Sequence, residues 1–403
     1  MAQRGLAAYF EQYVSNYSTF LNKKALQTNF VPDQIVHRDD QIEQLGKILA
    51  PTLKKEKPSN VLLYGKTGTG KTVTIKHVTN QLLSVAEKSK APLKVLYLNC
   101  KLKKIADTEY RLIAQLARDL NKAVPATGLP TDEVYKIFHS VIDEREQIIL
   151  LILDEIDHLI KRAEDEILYN LTRINEELKQ AQVAIIGISN DAKFLDNLDP
   201  RVRSSLSEEG IVFPPYNALQ IKDILAYRAG MAFRENSLEA GVIEKCAAYA
   251  ARDHGDARRA IELLRVAAEI AERNGTTAVS LEHIDEAEEK IERDYIIEIV
   301  ATQPKQYQCI TYAIIKLLHA TKEPVLTGEV YDIYRQLCNR VGLRPLTQRR
   351  ISDILAELDM LGIIQGRVVS KGRHGRTREI SLATQQEVTN KIKQMLEEEL
   401  DLT

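Results

Sequence analysis

The 403-residue chain has no tryptophan, only seven phenylalanines and only four cysteines. Cys100, Cys246, Cys309 and Cys338 are far apart with no C-x-x-C pair, so neither a cysteine zinc motif nor a disulfide framework is suggested, and a reducing compartment fits. No apolar run approaches the roughly 18 residues of a membrane span. The N-terminal stretch MAQRGLAAYFEQYV places polar and acidic residues where a secretory signal needs an unbroken apolar segment. A cytoplasmic protein without a membrane partner is therefore expected. No repeat recurs at solenoid periods. What is present is ordinary for a globular chain, with 44% hydrophobic and 28% charged residues. The length implies two to three domains of roughly 150 residues.

The net charge is only −2, but it is unevenly spread. Residues 303–386 carry 13 Lys/Arg against 7 Asp/Glu, which leaves the rest of the chain acidic. A basic module on an acidic body is the asymmetry expected when one domain meets nucleic acid.

Residues 1–30 are polar with scattered aromatics and read as a loosely attached arm, and 31–50 read as a loop entering an amphipathic helix. Strand-like runs at Val61–Tyr64, Leu93–Asn99, Ile148–Leu153 and Val183–Ile188 then alternate with helical stretches. That alternation predicts a parallel α/β sheet, and the unbroken IILLIL run suits a strand buried on both faces. After Pro214–Pro215 the strand signals stop, and helical periodicity covers 218–234, 238–252, 257–273 and 281–294. The last part reads as three helices (308–320, 328–340, 347–361) and two short β runs (363–369, 379–382) around a Lys-Gly-Arg-His-Gly-Arg turn. The expected division is an arm over 1–30, an α/β core over 31–215, a helical lid over 216–302 and a DNA-binding domain over 303–403.

Gly65-Lys66-Thr67-Gly68-Thr69-Gly70-Lys71-Thr72 fills every fixed position of G-x-x-x-x-G-K-T, directly after a strand and opening a helix. The glycines let backbone N–H groups wrap phosphates at a helix N-terminus. Lys71 reaches the β/γ-phosphates, and the Thr72 hydroxyl takes a position on magnesium. The apolar run 148–153 delivers Asp154 and Glu155 to the sheet's C-terminal edge, where α/β sheets bind ligands. Asp154 would hold Mg²⁺, mostly through water, and Glu155 would orient the attacking water. Asn190, after VAIIGIS, can position water against the γ-phosphate. ATP/ADP and Mg²⁺ are the expected ligands.

In the basic module the order helix–helix–helix–hairpin is that of a winged helix-turn-helix. Thr347 is a plausible N-cap, so the first turn of its helix presents Gln348, Arg349 and Arg350 where recognition helices meet DNA. Ile351, Ile354, Leu355, Leu358 and Leu361 recur as a buried face. Lys371, Arg373, His374, Arg376 and Arg378 crowd the hairpin, with a tip suited to the minor groove or phosphates.

With the phosphate loop, the Asp-Glu strand and the Asn-tipped strand, the sequence resembles an AAA+ ATPase. The segment Asp199-Pro200-Arg201-Val202-Arg203-Ser204-Ser205-Leu206 resembles its arginine finger, Arg201 or Arg203 being the finger residue; it departs from the Ser-Arg-Leu ending of many such segments. Gly255-Asp256-Ala257-Arg258-Arg259-Ala260 resembles the second sensor, which puts Arg258 on the γ-phosphate. From VPDQIVHRDDQIEQL to the winged helix, nearly the whole chain is similar to the archaeal replication initiators of the origin-recognition/cell-division-control type. The resemblance implies an AAA+ parallel sheet with a helical lid and a C-terminal winged helix. It further implies that Tyr216 contacts the base side, that Arg228 contacts phosphate or ribose, and that residues 31–38 wall the adenine. Residues 101–130, with Lys101, Lys103, Lys104 and Arg111, fall where initiators carry an added DNA-binding helical motif; an amphipathic helix with an exposed basic face is the plain alternative. The implied activity is an ATP-regulated initiator with weak, switch-like hydrolysis. It would bind and deform double-stranded origin DNA on the nucleoid and help load the replicative minichromosome-maintenance helicase, with paralogous initiators as further partners. The alternative function is a nucleotide-switched winged-helix transcription regulator. A clamp-loader-like ATPase, the third candidate, has no need of a basic wing.

Overall fold

The computed structural model describes residues 18–101, 108–125, 127–163, 166–191, 198–206, 208–252, 255–321, 323–370, 376–384 and 386–402. In the first unit, Met1–Ile284, five strands form a parallel sheet: β1 (Val61–Tyr64), β2 (Leu93–Asn99), β3 (Gln147–Asp154), β4 (Ala181–Ser189) and β5 (Glu209–Val212), in the order β2-β3-β4-β1-β5. β3 is buried at every position, as its unbroken apolar run requires. One face of the sheet packs Leu62, Leu151 and Leu153 against Leu112, Leu116 and Phe138 from the helices Glu109–Asp119 and Thr131–Ile142. The other packs Leu63, Leu150 and Ile186 against Leu45, Leu49 and Ile75.

β5 carries no sequence signal because only Ile211 of its four residues is buried. The helical stretch before β4 is short, Glu166–Arg173 followed by a 3₁₀ turn at Ile174–Glu176. There Asn175 leaves the helix to pair with β4, its side chain donating to the Val183 carbonyl and accepting from the Val183 N–H. The lid helices Ala218–Ala232, Val242–Arg252 and Ala257–Arg273 fall close to the helical periodicities.

The described part of the arm is not loose. The Thr19 N–H donates to Glu272 Oε1 at 3.0 Å, the Leu21 and Asn22 N–H groups donate to the Ala232 carbonyl, and Phe20 stacks on Phe233 at 5.2 Å. Thr19, Phe20, Ala25 and Leu26 are buried, so residues 18–30 form a strap on the lid.

The second unit is Asp285–Thr403, and its boundary falls within the helix Leu281–Thr302. Helices Lys305–Thr321, Thr327–Val341 and Gln348–Met360 precede a sheet of β6 (Val325–Leu326), β7 (Ile364–Ser370) and β8 (Arg376–Leu382), in the order β6-β8-β7. A C-terminal helix, Gln386–Glu399, lies beyond the predicted elements; Val388, Ile392 and Leu396 at four-residue spacing bury its inner face. Among the described residues no helix is long and apolar enough to cross a membrane.

Candidate active site

Three adjacent strands bring the motifs to one edge. The phosphate loop follows β1, Asp154 ends β3, and Asn190 follows β4, whose Ser189 lies in register with Tyr64 just before Gly65. The loop glycines are required sterically. A Cβ on Gly68 (φ +74°) would stand 1.8 Å from Asp256 Oδ1, and one on Gly70 would stand 2.7 Å from the Tyr216 hydroxyl. Lys66 and Thr67 are exposed, while Thr69 is buried and donates to the Lys66 carbonyl at 2.8 Å.

Lys71 Nζ is buried beneath the loop, donating to the carbonyls of Gly65 and Lys66 at 2.7 Å each. Burial lowers its pKa to about 8; the Arg258 charge pushes the same way, and Asp154, Asp157 and Asp256 oppose it. An arriving phosphate would hold the proton on, so nucleotide binding should take up a proton once free Lys71 begins to lose its own. Affinity is accordingly expected to fall as pH rises through about 8, approaching tenfold per unit above it. Calorimetric titration across that range in two buffers of different ionisation enthalpy measures both quantities; a flat profile would refute the assignment.

Thr72 Oγ1 donates to Asp154 Oδ2 at 3.0 Å, and Tyr97 donates to the same oxygen at 2.6 Å. A hydroxyl and a buried carboxylate in contact form an all-oxygen pair, the donor type that Mg²⁺ requires, so these two residues fit the ion. Glu155 sits at φ +56°, a left-handed conformation unusual for a side chain-bearing residue, and its buried Oε2 has no hydrogen-bond partner. Lys101 Nζ stands 4.0 Å from that oxygen. Asn190 is half-buried, its N–H directed at Asp157 Oδ1 at 3.4 Å. Asp157, absent from the sequence-based candidates, is buried and also accepts from Ser189 Oγ at 3.2 Å, fixing the tip of β4. Its signal is its place three residues after Asp154 in a D-E-x-D run.

The lid closes the other side. Asp256 caps the helix Ala257–Arg273, accepting from the Arg258 and Arg259 N–H groups, while the Ala257 N–H donates to the Gly68 carbonyl at 3.3 Å. One cleft is lined by Gly68, Gly70 and Thr72 of the loop, by Tyr216, Arg228 and Arg258, by residues 28–30 of the strap and by 31, 32 and 34–36 just after it. Part of the segment 31–38 thus forms a wall, joined by Phe30 and Tyr227, which no sequence signal nominates. Arg228 is buried, its guanidinium donating to the Gln27 and Phe30 carbonyls and lying 4.7 Å from the Phe30 ring centroid. Desolvation lowers its pKa to about 10. In this conformation it ties lid to strap, and its Nε has no hydrogen-bond partner.

Arg38, in sequence merely the end of that segment, is a strut. Its Nε donates to the Thr69 carbonyl at 3.0 Å, one Nη donates to the Pro214 carbonyl at 2.6 Å, and the guanidinium lies 3.8 Å from the Tyr216 ring centroid. One face of Tyr216 is therefore covered by a cation. Arg201 and Arg203 are exposed on the short helix Pro200–Leu206; Arg201 forks onto Asp199 (3.0 and 3.1 Å) and lies over the Tyr169 ring.

In the second unit the Thr347 side chain caps its helix, accepting from the Arg350 N–H. Gln348 and Arg349 are exposed and, among the described residues, make no side-chain hydrogen bond. Arg350 differs from the expectation that it simply faces outward. It donates to Glu357 Oε1 at 3.4 Å and to the Tyr307 hydroxyl at 3.2 Å, with Asp353 Oδ2 at 3.9 Å. Arg378 is half-buried on β8, with one Nη atom buried and without a hydrogen-bond partner. Arg376 lies in register with Ser370. Lys103, Lys104, Lys371, Arg373 and His374 lie outside the described residues. Arg111 is half-buried in the first turn of the helix Glu109–Asp119.

The chain matches the family described as "CDC6, C terminal winged helix domain" over residues 298–391, the "Cdc6 AAA+ ATPase-type lid domain" over 222–289 and an "AAA domain" over 54–194. It is 52% identical over 381 residues to an ORC1-type DNA replication protein of Thermococcus onnurineus, covering 94% of this chain and 91% of that one. With ORC1-type DNA replication protein 1 of Methanosarcina mazei the identity is 51% over 391 residues, covering 96% and 94%. Among solved structures, the Aeropyrum pernix ORC1 protein in complex with DNA superposes with a TM-score of 0.81 at 43% identity, over 94% of this chain and 97% of that one. The Aeropyrum pernix ORC2 protein in its ADPNP–ADP complexes shares the fold, with a TM-score of 0.61 at 20% identity, over 96% and 99%.

Proposed function

This chain belongs to the ORC1-type DNA replication proteins, with an AAA+ ATPase core, a Cdc6-type lid and a winged helix, and from that premise we propose that it is a replication initiator whose grip on duplex origin DNA is switched by ATP. The observation that carries the switch is the cleft itself. Arg258 on the lid helix lines the same space as the phosphate loop, and its charge is felt by Lys71. A γ-phosphate would thus be held from both sides, so that its loss loosens the lid.

In this proposal Lys71 leaves the Gly65 and Lys66 carbonyls for the β/γ-phosphates. Arg258 forks onto the γ-phosphate, being always charged and bidentate, and Phe30, Val31 and Tyr227 bury the base. Thr72 and Asp154 hold magnesium, which neutralises phosphate charge when bound. Glu155, with Asn190 beside it, orients the water, and Arg201 or Arg203 serves a neighbouring site. Hydrolysis is slow and acts as a timer. The winged helix and its hairpin hold and deform origin DNA on the nucleoid, and the complex recruits the minichromosome-maintenance helicase, together with paralogous initiators. No finding favours the transcription-regulator alternative.

Mapping of crosslinked DNA sites across the genome is the test. A few sharp peaks at replication start points are expected, with purified protein binding those sites differently in ATP and ADP. Peaks scattered over promoters without replication bias would overturn the proposal.

A further inference from the structure

The first turn of the Thr347-capped helix offers Gln348 and Arg349 to solvent, but its third residue is engaged. Arg350 and Glu357 are seven residues apart, two helical turns, and so share one face. Glu357 Oε1 accepts from Arg350 Nη1 at 3.4 Å. Tyr307, on the neighbouring helix Lys305–Thr321, donates to the other oxygen of Glu357 while accepting from Arg350 Nη2 at 3.2 Å. Asp353 adds a second carboxylate at 3.9 Å. The side chains are 48%, 56% and 40% exposed for Arg350, Asp353 and Glu357. They therefore lie at the surface of the proposed recognition helix, yet one cation among two carboxylates leaves the cluster net negative.

We infer that Glu357, through Tyr307, withholds Arg350 from the DNA backbone, making this cluster a specificity-determining device: it keeps sequence-independent affinity low while Gln348 and Arg349 contact DNA. The inference rests on the DNA-binding proposal above. A phosphate contact is blind to sequence, and each one raises affinity for every duplex alike. Restraining such a contact lowers binding to wrong sites without touching base readout, which is discrimination by subtraction. Glu357 is a positioning residue here, acting through Arg350.

The test compares full-length protein with Glu357→Gln, Tyr307→Phe, Arg350→Ala and the Arg350→Ala/Glu357→Gln double variant. Binding is measured on a preferred duplex and on an arbitrary duplex over a salt series, with thermal melting as a check on folding. Glu357→Gln should bind the arbitrary duplex about eightfold more tightly at ~0.1 M salt and steepen its log K against log salt slope by about one unit, the signature of one added phosphate contact. Tyr307→Phe should shift both in the same direction by less. Arg350→Ala alone should leave the slope unchanged, and the double variant should lose the gain. A gain kept by the double variant would show simple relief of repulsion by Glu357 and overturn the inference. So would a slope lowered by Arg350→Ala alone, since Arg350 would then already touch phosphate. Failure of the wild type to bind any duplex at low salt would overturn the DNA-binding proposal and this inference with it, whereas wild-type binding with an unaltered Glu357→Gln slope overturns the inference alone.

Discussion

Lys71→Ala is expected to weaken ATP and ADP binding by roughly a hundredfold or more, the scale of losing a charge-assisted contact in a desolvated site. The ammonium is the one cation buried beneath the phosphate loop among the loop's own residues, and two carbonyls hold it at 2.7 Å until phosphate arrives. Alanine removes the charge and strips the Gly65 and Lys66 carbonyls of their donor, so the loop should also lose part of its rest geometry. Lys71→Arg keeps the charge but cannot lose it near pH 8, so whatever affinity survives should be nearly independent of pH. Equilibrium titration with a fluorescent nucleotide reads both effects. An alanine variant with unchanged affinity would remove the phosphate-loop assignment.

Glu155→Gln should separate binding from turnover. Affinity for ATP is expected to stay within about threefold of wild type, while hydrolysis falls by roughly 10² to 10³, the contribution of one positioned proton acceptor. The proposed role draws on its setting: the backbone is held at φ +56°, and one buried oxygen lacks a hydrogen-bond partner, with Lys101 Nζ 4.0 Å from it. A backbone position that disfavours a side chain persists only where the surroundings impose it, and this one directly follows Asp154 at the end of β3. Single-turnover hydrolysis of bound ATP is the measurement. Normal turnover would transfer the role to another group, with Asp157 the next carboxylate along the chain.

Much of the fold is legible in the sequence because its signals are local. Alternating apolar runs and helical periodicity place β1 to β4 and the lid helices, and Thr347 marks the start of its helix through a side chain that reaches only three residues ahead. β5 is illegible for the opposite reason. With one buried residue in four, it is a strand only because β1 offers it hydrogen bonds. The C-terminal helix does carry a period of four in Val388, Ile392 and Leu396, a signal that falls just past the basic stretch ending at residue 386.

The site divides the same way. The sequence by itself made the contiguous signals legible, the loop 65–72 and the Asp154-Glu155 pair, since a phosphate cradle needs its glycines, lysine and threonine at set steps along one turn; the lid segment bearing Arg258 is nominated by its resemblance to the family's second sensor. Only the tertiary structure decided what faces them. Arg38 meets Pro214 across 176 positions, and Arg228 meets Phe30 and Gln27 across 198 and 201. Arg350 is answered by a tyrosine 43 residues away. No local periodicity encodes such pairs. They follow from how the elements pack, which sets which buried cation finds a carbonyl and which surface cation is met by a carboxylate.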